Sequence, residues 1–99
     1  MEPVLGEGGV RRVAPEFMRY LRATCDAHGI LLVCDEVQTG VGRTGDWWAT
    51  GVRPDLLTFA KGIASGYPLA GVAGAEAIFD AVHPNGLGGT YNGLSLIHI

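Results

Sequence analysis

The chain holds a single lysine, Lys61, and that lysine closes the largely apolar run Leu56-Leu57-Thr58-Phe59-Ala60. A second apolar run, Ile30-Leu31-Leu32-Val33-Cys34, ends in the same way on Asp35. Beyond Lys61 the stretch Gly62-Ile63-Ala64-Ser65-Gly66-Tyr67-Pro68 carries no charge. An amine buried in such surroundings favours its neutral form, because burial disfavours charge. A neutral amine is a nucleophile toward carbonyl compounds. The plain alternative is a surface lysine whose stem lies along apolar neighbours. A carboxylate and an amine at one site also fit a simple ion pair.

For Asp35 and Lys61 to meet, the two runs must be neighbouring strands that end at one edge of a sheet. The intervening sequence supports that arrangement. Ala14-Pro15-Glu16 reads as a helix start and Gly29 as its stop, with Phe17, Leu21, Cys25 and His28 on one face. Strands follow over 30–34 and 56–60, separated by a Gly-rich loop over 38–46 and entered at Pro54-Asp55. Residues 69–74 read as a third short strand. A helix over 76–82 is ended by His83-Pro84. Helices alternating with apolar strands predict an α/β fold with a mostly parallel sheet. In such sheets, ligands lie in the crevice beyond the strand carboxyl ends.

Composition narrows the classes. The 99 residues carry a formal net charge of −3, which gives no electrostatic reason to expect nucleic acid or an anionic membrane as partner. No apolar segment approaches the roughly 20 residues needed to span a bilayer. Met1-Glu2-Pro3 does not open a signal peptide. Cys25 and Cys34 do not form a CxxC pair and read as small buried residues in a reducing compartment, so a cytoplasmic location is expected. No metal site is expected. The 16 glycines cluster in loops, where they let backbone approach a ligand or a neighbouring chain.

A lysine and a carboxylate at one strand edge suit pyridoxal phosphate. Its aldehyde needs a lysine for a Schiff base, and its ring nitrogen needs a carboxylate to stay protonated. The neighbouring residues sharpen this reading. Glu2-Pro3-Val4-Leu5-Gly6-Glu7-Gly8-Gly9, then Cys34-Asp35-Glu36-Val37-Gln38-Thr39-Gly40-Val41-Gly42-Arg43-Thr44-Gly45, then Thr58-Phe59-Ala60-Lys61-Gly62 resemble the class III aminotransferases. Gly86-Leu87-Gly88-Gly89-Thr90-Tyr91 is most similar to the 4-aminobutyrate branch.

The resemblance implies the large, cofactor-binding domain of a fold type I enzyme over residues 1–92. It implies Lys61 as the Schiff-base lysine and proton carrier, and Asp35 as the partner of the pyridine nitrogen. Gln38 matches the glutamine that bonds the phenolic oxygen. Thr90 matches a threonine that contacts the cofactor phosphate across a homodimer interface. Glu7 matches a glutamate that pairs with a substrate-reading arginine. The implied activity moves an amino group from a small ω-amino acid to a 2-oxo acid such as 2-oxoglutarate. Glu36, Trp47, Trp48 and Arg43 read as structural, ordering the loop between the strands.

Two departures stand out. The segment from Ala49 to Arg53 is shorter than is usual in the family, and Asn92 to Ile99 fits no family pattern. Residues 93–99 therefore read as a non-native tail. The phosphate loop, the ring-stacking aromatic residue and the substrate-reading arginines of the family have no match here. The expectation is an internal fragment that is inactive alone, or a non-catalytic domain. A rival reading takes Leu31 to Glu36 as the acidic strand of a P-loop ATPase, but the G-x-x-x-x-G-K-[ST] loop it requires does not occur.

Overall fold

A computed structural model describes residues 1–84 together with Gly86 and Gly88. The chain opens with a short hairpin in which β1 (Val4–Leu5) pairs antiparallel with β2 (Arg11–Arg12). The amides of Gly9 and Val10 both donate to the Gly6 carbonyl and close its turn. From sequence this region reads as loop, because two-residue strands offer no alternation to detect.

Helix α1 (Pro15–His28) follows, with Pro15 and Glu16 in its first turn, where a missing N–H is harmless and an acid meets the helix dipole. Gly29 ends it in the left-handed region at φ 64°, and the Ile30 amide donates back to the Cys25 carbonyl at 2.9 Å. Start and stop match expectation, but the buried face does not. Met18 and Cys25 are buried and Leu21 is half-buried, whereas Phe17 and His28 are exposed. Residues 18, 21 and 25 follow the i, i+3, i+7 spacing of one helical stripe. A spacing near four counted from Phe17 finds Leu21 and Cys25 but takes Phe17 in place of Met18 and adds His28.

Strands β3 (Val33–Asp35), β4 (Leu56–Phe59) and β5 (Gly71–Gly74) form a sheet in that order. β3 and β4 run parallel, with Cys34 opposite Leu57 and Asp35 opposite Thr58. β5 is antiparallel to β4, with Phe59 opposite Gly71. The class is α/β as expected. Its parallel pair is the one the site needs, and β5 makes the sheet mixed. A second short helix, α2 (Glu76–Asp80), ends two residues before the expected stop.

Met18, Cys25, Leu32 and Cys34 form the core between α1 and β3, with Val13, Leu21 and Val52 packed against it. Both cysteines are buried free thiols. Asp55 fastens the entry to the two parallel strands. Its Oδ2 accepts the Leu32 amide at 2.7 Å and the Arg22 guanidinium of α1 at 2.7 Å. The Leu32 amide, and next the Arg22 side chain, hold the Asp55 carboxyl below its ordinary value. The bond to Asp55 in turn raises Arg22.

Candidate active site

Asp35 is the last residue of β3, and its neighbours fix it from both sides. Its amide donates to the Met1 carbonyl at 2.8 Å, and the Met1 amine donates to the Val33 carbonyl at 2.6 Å, so the chain start lies along β3. On the other side, the Glu36 amide donates to the Thr58 carbonyl of β4 at 2.9 Å. The Asp35 carboxylate accepts the Val37 amide at 3.0 Å and the Thr58 hydroxyl at 3.2 Å. Both bonds fall on Oδ1. Among the described residues no donor reaches Oδ2, which is left for a cation or a further donor.

Gln38 lies on the turn that follows and rests on the hairpin backbone. A Cβ placed on Gly6 would stand 2.6 Å from Gln38 Oε1, so only glycine lets the amide lie there. The Gly6 amide donates to Glu2 Oε2 at 3.0 Å. Glu2, Val4, Asp35, Val37, Gln38 and Thr39 line a cleft of about 120 Å³. This cleft brings two expected site residues together, Asp35 and Gln38, and adds Glu2.

Lys61 opens a single 3₁₀ turn, Lys61–Ile63, directly after β4, closed by the Ile63 amide on the Ala60 carbonyl at 2.8 Å. It therefore lies at the same carboxyl edge as Asp35, one short step beyond the Asp35–Thr58 pair. Its expected burial is not observed. Lys61 is exposed and is not among the residues lining the cleft. The uncharged stretch after it, read as low-polarity walls, is a surface turn in which Ser65, Gly66, Tyr67 and Pro68 are themselves exposed. Gly62 touches the loop from β3, since a Cβ there would lie 3.4 Å from both Gly40 O and Val41 Cβ.

Glu7 sits exposed in the β1–β2 turn, away from the cleft lining. Thr90 and the 93–99 tail lie outside the described residues. Of the packing roles expected for the loop, that of Trp48 is visible and that of Trp47 is not. Trp48 packs on Phe59 of β4 with ring centroids 5.7 Å apart, and it crowds Gly40, where a Cβ would meet its ring at 2.7 Å. Trp47 points outward, 70% exposed.

Two groups near Asp35 were not singled out from sequence. Thr58 could have been found by aligning the two apolar runs in parallel register, which sets it opposite Asp35. The Val37 amide follows from the habit of aspartate to bond the backbone two residues on. Glu2 was placed near the site by its motif, without a chemical step of its own, and the structure sets it in the cleft lining. A larger cleft of about 1020 Å³ opens on the α1 side and is lined by Arg22, Trp48, Asp55, Leu57 and Gly74 among others. It contains none of the expected site residues.

The sequence matches the family described as aminotransferase class-III over residues 1–97. It is 60% identical over 96 residues to the 4-aminobutyrate aminotransferase GabT of Escherichia coli, covering 94% of this chain and 22% of that enzyme. It is also 60% identical over 96 residues to the 5-aminovalerate aminotransferase DavT of Pseudomonas putida, covering 94% and 23%. Among solved structures, an ornithine δ-aminotransferase of Plasmodium falciparum superposes with a TM-score of 0.84 at 35% identity, over 91% of this chain and 24% of that one. A transaminase from the marine bacterium Virgibacillus superposes with a TM-score of 0.80 at 43% identity, over 91% and 22%. The chain thus spans less than a quarter of the length of the curated relatives named here.

Proposed function

The chain belongs to the class-III aminotransferases, and from that premise we propose that it forms the cofactor-site segment of a larger pyridoxal-phosphate-dependent transaminase. The enzyme moves an amino group from an ω-amino acid of the 4-aminobutyrate kind to a 2-oxo acid, with 2-oxoglutarate as acceptor. Relatives that act, by name, on 4-aminobutyrate and 5-aminovalerate at equal identity support the donor class.

The residues present suit the cofactor by their chemistry. Asp35 offers a carboxylate oxygen to a protonated ring nitrogen, Gln38 an amide to a phenolic oxygen, and Lys61 an exposed amine to an aldehyde. When bound, the cofactor supplies that aldehyde together with a ring that withdraws electrons from the substrate carbon. Asp35 would hold the positive ring nitrogen by a charge-assisted hydrogen bond, its own orientation fixed by Val37 and Thr58. Lys61 Nζ would take the proton from the amine-bearing carbon of the substrate and give it to the carbon that the cofactor's aldehyde supplies, on the other side of the shared nitrogen. Glu7 would pair with a substrate-reading arginine, and Thr90 would reach the cofactor phosphate of a partner subunit in a homodimer.

One observation carries this reading: Asp35 ends β3, and Lys61 opens the turn that directly follows the adjacent parallel strand β4, at the same edge. Borohydride reduction of the full-length holoenzyme, followed by peptide mapping, tests it. The expected result is one labelled peptide, containing Lys61. Label confined to other lysines would refute the assignment.

A further inference from the structure

The acid beside Asp35 has no part in the chemistry above, yet it is among the most deeply buried residues described. Glu36 is 1% exposed. Its Oε1 accepts the Thr50 amide at 2.7 Å, and its Oε2 accepts the Thr39 hydroxyl. Among the described residues it pairs with no cation. Taking a carboxyl group out of water costs free energy unless its oxygens are bonded, and here both are. The backbone of the same residue binds in both directions, with its amide on the Thr58 carbonyl and its carbonyl accepting the Gly40 amide at 2.8 Å. Thr50 continues the network to Cys34, with Oγ1 3.1 Å from Sγ.

The placement of these partners gives the network a purpose. Thr39 lies near the start of the connection from β3 to β4 and Thr50 lies towards its far side, so one carboxyl group ties two distant points of it. Gln38 immediately precedes Thr39. Between the tied points, Gly40 and Val41 lie against Gly62, the residue after Lys61. Releasing the loop would move Gln38 and the support of the Lys61 turn together.

We propose that Glu36 is a positioning residue, whose buried carboxyl group holds the 37–50 loop so that Gln38 and the Lys61 turn keep their places about the cofactor. The proposal rests on the transaminase reading. It assigns Glu36 no proton transfer and no contact with substrate.

The test uses the full-length enzyme with Glu36→Ala, Glu36→Gln, Thr39→Val and Gln38→Ala, and Met18→Ala as a core control. Glutamine can keep an acceptor toward Thr50 and a partner for Thr39, whereas alanine keeps neither. Two quantities are read: pyridoxal phosphate affinity by absorbance titration, and the pH midpoint of the holoenzyme's absorbance change. Glu36→Ala should weaken affinity at least tenfold and move the midpoint in the direction seen for Gln38→Ala. Thr39→Val should give a smaller change of the same sign, and Glu36→Gln should restore affinity to within about threefold. Met18→Ala should lower the melting temperature and leave the midpoint unmoved. An unchanged midpoint in Glu36→Ala, or equal movement in Met18→Ala, would overturn the positioning role. If Glu36→Ala does not fold, Thr39→Val decides by the same midpoint. Failure of the unsubstituted enzyme to take up pyridoxal phosphate would instead overturn the transaminase reading, and this proposal with it.

Discussion

Gly6→Ala separates the site from the fold, because the clash it creates falls almost wholly on Gln38. An added Cβ would stand 2.6 Å from Gln38 Oε1, 2.8 Å from Cδ and 2.9 Å from Nε2, where ordinary contact begins near 3.4 Å. All three atoms belong to the far end of a flexible, exposed side chain, which can swing into solvent. Stability should therefore change by no more than about 0.5 kcal/mol, as for surface substitutions. Function should suffer more. A hydrogen bond to a charged acceptor contributes about 1.5–3 kcal/mol, so if Gln38 bonds the phenolic oxygen as proposed, displacing it should weaken cofactor binding roughly ten- to hundredfold. The assay is pyridoxal phosphate titration of the full-length apoenzyme, run as a cycle with Gln38→Ala. Once Gln38 is alanine, Gly6→Ala should cost nothing further. Additive losses would mean that the extra methyl acts elsewhere and that Gln38 does not bond the cofactor from this place.

Three other outcomes follow from the same contacts. Met18→Ala empties a site that is 3% exposed between α1 and β3, and should lower unfolding free energy by about 2–5 kcal/mol in urea titrations. Gly40→Ala sets a Cβ 2.7 Å from the Trp48 ring and 2.9 Å from the Glu36 carbonyl. The carbonyl cannot swing aside, so the cost should be about 1–3 kcal/mol by the same titration, in contrast to Gly6→Ala. Asp55 has its pKa lowered in the folded state, chiefly by the Leu32 amide and then by Arg22. Its stabilising contribution is thus complete above the unfolded aspartate value of about 3.9 and is lost as pH falls through the folded value. Asp55→Asn should flatten that acid-side loss in urea midpoints measured between about pH 6 and pH 3.

What the sequence revealed and what it hid divide along physical lines. Pro15 and Gly29 bounded α1 because both act locally through backbone geometry. Asp35 and Lys61 were legible because each breaks an apolar run, and a parallel pairing of those runs brings their ends to one edge. The exposure of Lys61 was not legible. Whether an uncharged Gly-rich stretch encloses a residue or merely turns beside it depends on what packs over it, and Ser65 to Pro68 are themselves exposed. Met18, alone of its stripe, was missed for a related reason. Phe17 is the more hydrophobic-looking anchor, but only tertiary packing chooses between adjacent helical positions. The Glu36 network joins residue 36 to residue 50 across a loop with no regular period, and no sequence pattern announces such a closure.

The apolar core and the polar site occupy opposite faces of the same strands. Cys34 points to the core with Leu32, so by strand alternation Asp35 and Val33 face the other way, and Val33 is 38% exposed. Asp35 therefore owes its place to hydrogen bonds at the strand ends: Met1 on one side, Thr58 and Val37 on the other, and Glu36 tying the loop behind it. Hydrogen bonds specify direction in a way that apolar contact does not. On the proposed reading, in which Asp35 presents one oxygen to a planar ring, the carboxylate needs its angle fixed more than it needs burial. Substitutions in the core should accordingly alter how much protein is folded, and substitutions in the polar cross-links should alter where Asp35 and Gln38 point within the folded fraction.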